Sequence, residues 1–198
     1  MRILLAGATG TLGTYVGKEL AARGHDILAV ARRSGDLRYD ITDPAQVSAM
    51  YERAGRVDAV VSTAGHTPFK AITELTAEDY LAAYRGKVAG QIELVRQGLA
   101  RIGERGSFTL ISGVLAREPI PSGSAASMAN GALEAFVRAA AIEIAPQRIN
   151  AVSPTVFTES LGTYGDYFPG MEPVPLARVA QAYVRSVEGA LTGQVFVL

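Results

Sequence analysis

The sequence predicts a doubly wound α/β fold: a mostly parallel, seven-stranded sheet with helices on both faces, formed by residues 1–198 as one domain. Three observations predict it. Short β-type runs alternate with longer helical patterns from end to end. Those runs lack the strict polar–apolar alternation of half-exposed strands, so they are buried on both faces, as in a parallel sheet covered by helices. The first run also passes through closely spaced glycines straight into the first helical pattern. A chain of 198 residues is long enough to bury such a core unaided.

The elements follow in order. "RILLAG" is the first buried strand. "TLGTYVGKELAARG" carries Leu12, Tyr15, Val16 and Leu20 at helical spacing, with Gly24 as its stop. "DILAVA" is a second strand and "LRYD" a short third. "TDPAQVSAMYERAG" opens a helix with Asp43 as N-cap and Pro44 at the first helical position. "VDAVVS" is the fourth strand. One long helix is expected over Thr76–Arg101, begun by Thr76 and Asp79 in an approximate capping box. "SFTLIS" is the fifth strand, and a helix follows from Ser124 to about Ala145. "RINAVS" and "QVFVL" supply the sixth and seventh strands. The longest irregular stretch, Ser153 to Pro175, is rich in Gly, Pro and aromatics, and so long a connection reads as a functional lid.

Composition narrows the function. Lys and Arg number 19 and Asp and Glu 19, a balance that argues against a nucleic-acid partner bound by phosphate neutralisation. There is no cysteine, which excludes disulfides, thiolate catalysis and thiolate metal sites; with only His25 and His66, a histidine-rich metal site is excluded as well. No apolar run approaches the roughly 20 residues of a membrane span, and none has the form of a signal peptide. The expectation is a soluble, cytoplasmic protein acting on a small molecule, with neither membrane nor metal.

The candidate site begins at "LLAGATGTLGTYVG". Gly7, Gly10 and Gly13, with Thr9, Thr11 and Leu12 between them, follow a strand and open a helix. Glycine lets the backbone turn sharply and lets a pyrophosphate approach the helix N-terminus, where free N–H groups and the dipole favour an anion. A tight turn without a ligand is the bland alternative. The second strand then ends in Arg32, Arg33 and Ser34, where an NAD-selecting protein places a carboxylate for the ribose 2′-hydroxyl. Two guanidiniums and a hydroxyl suit a 2′-phosphate, so NADP(H) is the expected cofactor; a solvated basic loop is the bland alternative.

Read with the residues downstream, this segment resembles the short-chain dehydrogenase/reductase family over nearly the whole chain. "AGATGTLG" is similar to its cofactor turn, in the GxxGxxG spacing of atypical and extended members. "DITD" resembles the acidic segment that would set Asp40 beside the adenine, and "VVSTAG" stands where the family has Asn-Asn-Ala-Gly, making Ser62, Thr63, Ala64 and Gly65 a floor under the cofactor. "GALEAFVRAAAIEIAPQRINAVSP" is similar to the helix–strand unit after the catalytic motif, and "LTGQVFVL" to the usual ending. The resemblance implies a Rossmann sheet with the cofactor across the carboxyl ends of its strands. It also implies a homodimer or homotetramer paired through the two long helices.

The resemblance also exposes departures. The family uses Tyr-x-x-x-Lys on the helix after the fifth strand, with a Ser at that strand's end. Aligned on "GALEAF", the Tyr position is Ala126, the Lys position Asn130 and the Ser position Gly113; the Asn of the preceding helix falls on Lys87, and the Pro-Gly after the sixth strand becomes Pro154-Thr155. Lys87 is the first candidate helper, able to hold the nicotinamide ribose or give a proton; a solvated surface lysine is its alternative reading. Ser112 is the second candidate catalytic group, or a simple strand end. His66, at the expected mouth of the cleft, reads as an exposed polar loop residue before an acid, and Tyr164 and Tyr167 in the long loop read as an apolar pocket wall before a phenol swung over the nicotinamide. Ser124 and Ser127 read first as caps. The expected function is an atypical NADP(H)-dependent oxidoreductase; the alternative is a cofactor-binding sensor or partner-binding protein without catalysis.

Overall fold

The computed structural model describes residues 1–198. The elements are β1 (Arg2–Ala6), α1 (Thr11–Ala22), β2 (Asp26–Ala31), β3 (Leu37–Arg38), α2 (Pro44–Ala54), β4 (Val57–Ser62), α3 (Ala77–Ala83), a π-turn (Tyr84–Ala89), α4 (Gly90–Gly98), β5 (Ile102–Ile111), α5 (Ser124–Glu143), β6 (Arg148–Ser153), the short α6 (Leu161–Tyr164), α7 (Leu176–Glu188) and β7 (Val195–Val197). The seven strands form one sheet in the order β3-β2-β1-β4-β5-β6-β7, and every pairing is parallel. The doubly wound sheet anticipated from the alternation is therefore the fold.

Alternate residues of β1 show how the layers are built. Ile3 and Leu5 face a core with Leu12, Val16 and Leu20 of α1 and Leu176, Val179 and Tyr183 of α7. Leu4 and Ala6 face the opposite core, with Val47 and Met50 of α2, Leu94 of α4 and Leu133 and Val137 of α5. A strand covered on both sides has no polar face, hence its unbroken apolar run.

The caps form as the sequence specifies. Asp43 accepts from the Ala45 N–H, Thr76 and Asp79 close a capping box, and Gly24 takes a positive φ just after α1. Two expectations change. The single helix over Thr76–Arg101 is broken by the π-turn, and β5 begins at Ile102, earlier than "SFTLIS". Helix α7 also emerges from a segment passed over in the sequence, although Leu176, Val179, Ala180, Tyr183 and Val187 mark one apolar face.

At the opposite end of the sheet from the carboxyl edge, Glu188 fastens α7 to α1 and β2. Arg23 donates to it from Nε and Nη2, each at 2.6 Å, and His25 Nε2 lies 2.9 Å from Oε1. Hydrogen bonds from Arg23 and then His25 pull the Glu188 carboxyl down to about 2 from its ordinary 4.5. A depressed carboxyl stabilises the fold above the unfolded value, and the benefit is lost as pH falls through the folded one. Glu188→Gln is expected to cost about 1 kcal/mol or less at neutral pH, because the pair is partly solvated. Thermal melts should show the gap to wild type closing as pH falls from 4.5 to about 2.

Candidate functional site

Strands β1 and β4 are neighbours, yet the chain leaves them toward opposite edges of the sheet. Such a reversal opens a crevice at the carboxyl ends of the strands. Two cavities occupy it, an outer one of about 780 Å³ and an inner one of about 490 Å³, and both touch Gly10, Thr63, Gly65 and His66. They form one continuous cleft.

The turn after β1 is built by close approach. The Gly7 N–H donates to Val30 O at 2.9 Å, and a Cβ on Gly7, whose φ is +82°, would stand 2.8 Å from Thr63 Oγ1. Thr63 in turn donates to the Ala6 and Gly7 carbonyls at 3.2 and 3.1 Å. A Cβ on Gly13 would overlap the Gly7 carbonyl, so Gly13 serves by letting α1 pack against the turn. Gly10 begins α1 with no side-chain cap, and the N–H groups of Thr11, Leu12 and Gly13 meet no acceptor in the protein. The helix N-terminus faces the cleft open.

The outer cavity is lined by Gly7, Thr9, Gly10, Arg32, Arg33, Asp40 and Thr63 to Gly65, as the sequence anticipates. Arg32 and Arg33 are exposed and join no ion pair. Asp40 spends Oδ1 on the Thr42 N–H and hydroxyl, at 2.9 and 2.8 Å. Two expected contacts lie elsewhere. Ser34 stands beyond the lining, and Ser62 is wholly buried beneath it, its carbonyl accepting from the Tyr183 hydroxyl at 3.0 Å. Tyr39, Thr42 and Arg85 join the outer wall without having been singled out in the sequence.

The inner cavity brings together Thr11, Leu12, Lys87, Ser112, Gly113, Ala126, Asn130, Pro154 and Thr155. Lys87 reaches it through the π-turn. Gln91, fully buried, donates to the Lys87 and Ile111 carbonyls at 3.0 Å and accepts from the Ile111 N–H at 2.9 Å, so it ties the π-turn to the end of β5. The side chain then runs over Gly65, where a Cβ would sit 2.7 Å from Lys87 Cγ. Its Nζ donates to Ser112 O at 3.0 Å. Removal of water from the half-buried ammonium lowers its pKa to about 8.

Ser112 departs from expectation. Its hydroxyl donates to Glu134 Oε1 at 2.8 Å, inside a buried network, and is not free to polarise a substrate. Glu134 Oε1 also accepts from Ser153 Oγ at 3.0 Å, and Arg117 Nη1 donates to both Glu134 oxygens at 2.7 and 2.6 Å. Arg117 Nη2 reaches Ser153 Oγ at 2.7 Å. The network joins the ends of β5 and β6 to α5. One signal for it is in the sequence: Glu134 lies four residues after Asn130, on the helix face turned toward the cleft.

Only three buried side-chain polar atoms in the chain lack a hydrogen-bond partner: Ser127 Oγ, Asn130 Oδ1 and Thr155 Oγ1. The last two belong to residues of the inner cavity. Tyr80 and Ser124 hydroxyls, by contrast, pair at 2.9 Å outside the cavity lining.

The family model described as enoyl-(acyl carrier protein) reductase matches residues 6–181. This chain belongs to the short-chain dehydrogenase/reductase family. The protein lin1944 of Listeria innocua, known from its crystal structure, is similar over 100% of this chain and 99% of its own, with 44% identity and a TM-score of 0.97. An uncharacterized oxidoreductase of Methylorubrum extorquens is 29% identical, over 90% of this chain and 84% of its own. The L-xylulose reductase of Homo sapiens is 25% identical, over 100% and 88%. A small-chain dehydrogenase solved in complex with NADPH shares the fold with a TM-score of 0.89 at 24% identity, over 100% and 96%.

Two outcomes test this geometry. Glu134→Ala leaves Arg117 without its carboxylate and two serines without an acceptor. It is expected to destabilise the protein by about 2 kcal/mol or more, read from the urea midpoint. For Lys87, the folded pKa lies below the unfolded one, so between about 8 and 10.5 the unfolded chain binds more protons and stability rises with pH. Wild type should gain on Lys87→Met across that window in urea titrations, and a constant difference would show a fully hydrated amine.

Proposed function

We propose that the cleft binds NADP(H) and that this protein is an atypical oxidoreductase of its family, passing hydride between the nicotinamide and a small, fairly apolar substrate. One observation carries the cofactor reading. The uncapped N-terminus of α1 opens into a cleft whose outer end holds two unpaired guanidiniums, and no carboxylate directly follows β2. The residues present fit the dinucleotide. The glycines let the turn fold tightly against Thr63 and Ala64, and Thr11 to Gly13 offer unpaired N–H groups to a pyrophosphate at the cleft. Arg32 and Arg33 suit the 2′-phosphate, Asp40 and Thr42 border the adenine end, and Thr63 to Gly65 form the floor.

When bound, the nicotinamide supplies the hydride chemistry. The chain supplies position. Lys87 and Asn130 face the inner cavity from two helices and suit the hydroxyls of the nicotinamide ribose; Asn130 Oδ1, buried and unpartnered, is an acceptor waiting for a donor. Thr155 Oγ1, after Pro154, has the same standing. Ala126 stands where the family's tyrosine is expected, and its methyl joins an apolar cluster with Val114, Leu115 and Ile120. Ser112 contributes its carbonyl to Lys87, not its hydroxyl to the substrate. That apolar wall is also what favours the second reading, cofactor binding without turnover.

A soluble cytoplasmic homodimer or homotetramer completes the reading. Leu81, Tyr84, Met128 and Ile142 leave apolar surface exposed on the helices and π-turn between residues 77 and 143, and no helix is long and apolar enough to cross a membrane.

The test is a titration of NADPH and NADH, read by nicotinamide fluorescence in a protein that has no Trp. NADPH should bind tighter. Replacing Arg32 and Arg33 by Ala should weaken NADPH about 10- to 100-fold, the worth of one or two charge-assisted hydrogen bonds, and leave NADH nearly unchanged. Equal affinities, or equal losses, would return the arginines to a solvated loop.

A further inference from the structure

Resting on the NADP(H) reading, we infer that Arg85 is a further cofactor-binding residue: its guanidinium lies flat over the outer face of the adenine, and Glu78, outside the cleft, competes for it. The π-turn fixes the placement. Ala82 and Gly86 line the outer cavity, and on the following turn Gly90 packs against Ile41, where a Cβ would meet the Ile41 carbonyl oxygen at 2.8 Å. This stretch of chain therefore runs along the wall made by Tyr39 to Thr42, which borders the adenine end. Gly86 is also seated on the floor of the cleft. Its carbonyl accepts from the His66 N–H at 3.3 Å, and a Cβ on Gly86 would stand 3.1 Å from the His66 carbonyl oxygen. Arg85, next to Gly86, is carried onto the outer lining, while Lys87 on its other side enters the inner cavity. One turn of chain thus presents a cation to each half of the cleft.

The anionic parts of the cofactor already have partners in this reading. The 2′-phosphate has Arg32 and Arg33, and the pyrophosphate has the uncapped N-terminus of α1. What remains for the wall that carries Arg85 is the uncharged purine. A guanidinium suits that surface, because it is planar, weakly hydrated and attracted to a π-face.

Without the cofactor the group has another contact. Arg85 Nη1 donates to Glu78 Oε1 at 2.8 Å, and the two side chains are 61% and 69% exposed. An ion pair so open to water contributes little, so a stack over the purine readily replaces it. Glu78 belongs to the first turn of α3 and lies off the cavity lining. It holds the guanidinium at the rim and gives nothing to the ligand.

The experiment measures Kd for NADPH and NADH on the full-length protein, by nicotinamide fluorescence. The variants are Arg85→Ala, Arg85→Lys, Glu78→Gln and the pair Glu78→Gln with Arg85→Ala. Both cofactors carry the adenine, so Arg85→Ala should weaken both by one common factor of about threefold or more. Arg85→Lys should weaken both as well, since lysine keeps the charge but not the plane. Glu78→Gln should tighten both about 2- to 5-fold, and that gain should vanish once Arg85 is replaced, which a merely structural role would not produce. A smaller loss in Arg85→Ala overturns the inference, as does a gain from Glu78→Gln that persists without Arg85. A loss confined to NADPH, or full rescue by lysine, also overturns it by placing Arg85 on a phosphate. In each of these cases the cofactor reading stands. Failure of the wild type to bind either cofactor overturns that reading and this inference with it.

Discussion

The carboxyl edge of the sheet depends on one buried carboxylate. Glu134 takes hydrogen bonds from Ser112 at the end of β5, from Ser153 at the end of β6 and from Arg117 in the loop between β5 and α5. Each of these three segments would otherwise leave polar groups facing an apolar helix. Joined through one acceptor, they hold a fixed distance between the two strand ends, and the inner cavity takes its shape from that distance. The charge is affordable there because Arg117 lies against both carboxylate oxygens while the two serines fill remaining lone pairs. A carboxylate so fully engaged is a rigid part, and the Ser112 carbonyl it fixes is the group that Lys87 Nζ meets.

Much of this fold is legible in the sequence because its strongest signals are local. Asp43–Pro44 and Thr76/Asp79 each act within one turn of chain and cap their helices as predicted, and the glycines after β1 form the sharp turn their spacing predicts. The apolar runs of the central strands need only burial on both faces. What escapes is non-local or off-period. The π-turn at Tyr84–Ala89 keeps the composition of a helix, and its cause is partly elsewhere: Gln91 bonding across to Ile111, and Gly90 passing so near Ile41 that a Cβ would sit 2.8 Å from its carbonyl oxygen. The Glu134 network joins residues 17 to 22 positions apart through their side chains, which no periodicity reveals.

The same division holds for the site. Of the residues singled out for the cofactor, those on the turn after β1, the arginines after β2 and the floor after β4 meet at one cleft because strand ends in a parallel sheet must share an edge. Ser34 and Ser62 fall away for opposite reasons, one carried outward by the loop and one drawn into the core by the alternation of β4. Ser112 shows the limit of placing a side chain by its strand position alone. It sits at the cavity, as expected, but its hydroxyl has a better acceptor behind it.

On the alignment that the resemblance in "GALEAF" implies, the amine and the amide of the family pattern exchange places in this sequence. Asn130 stands on α5 where a lysine is expected, and Lys87 on the π-turn where an asparagine is expected. The exchange keeps one cation and one amide around the end of β5, provided the longer side chain has room. Gly65 gives that room, since any Cβ there would collide with the Lys87 stem, and Gly113 does the same for Asn130, whose Nδ2 lies 2.9 Å from where a Cβ would stand. Each side chain of the swapped pair is thus matched by a glycine across from it. Four residues in four separate segments agree on one arrangement, and such agreement marks a specified site rather than a decayed one. On this argument the inner cavity keeps a cation and an amide at the end of β5, each with a glycine beside it that gives it room.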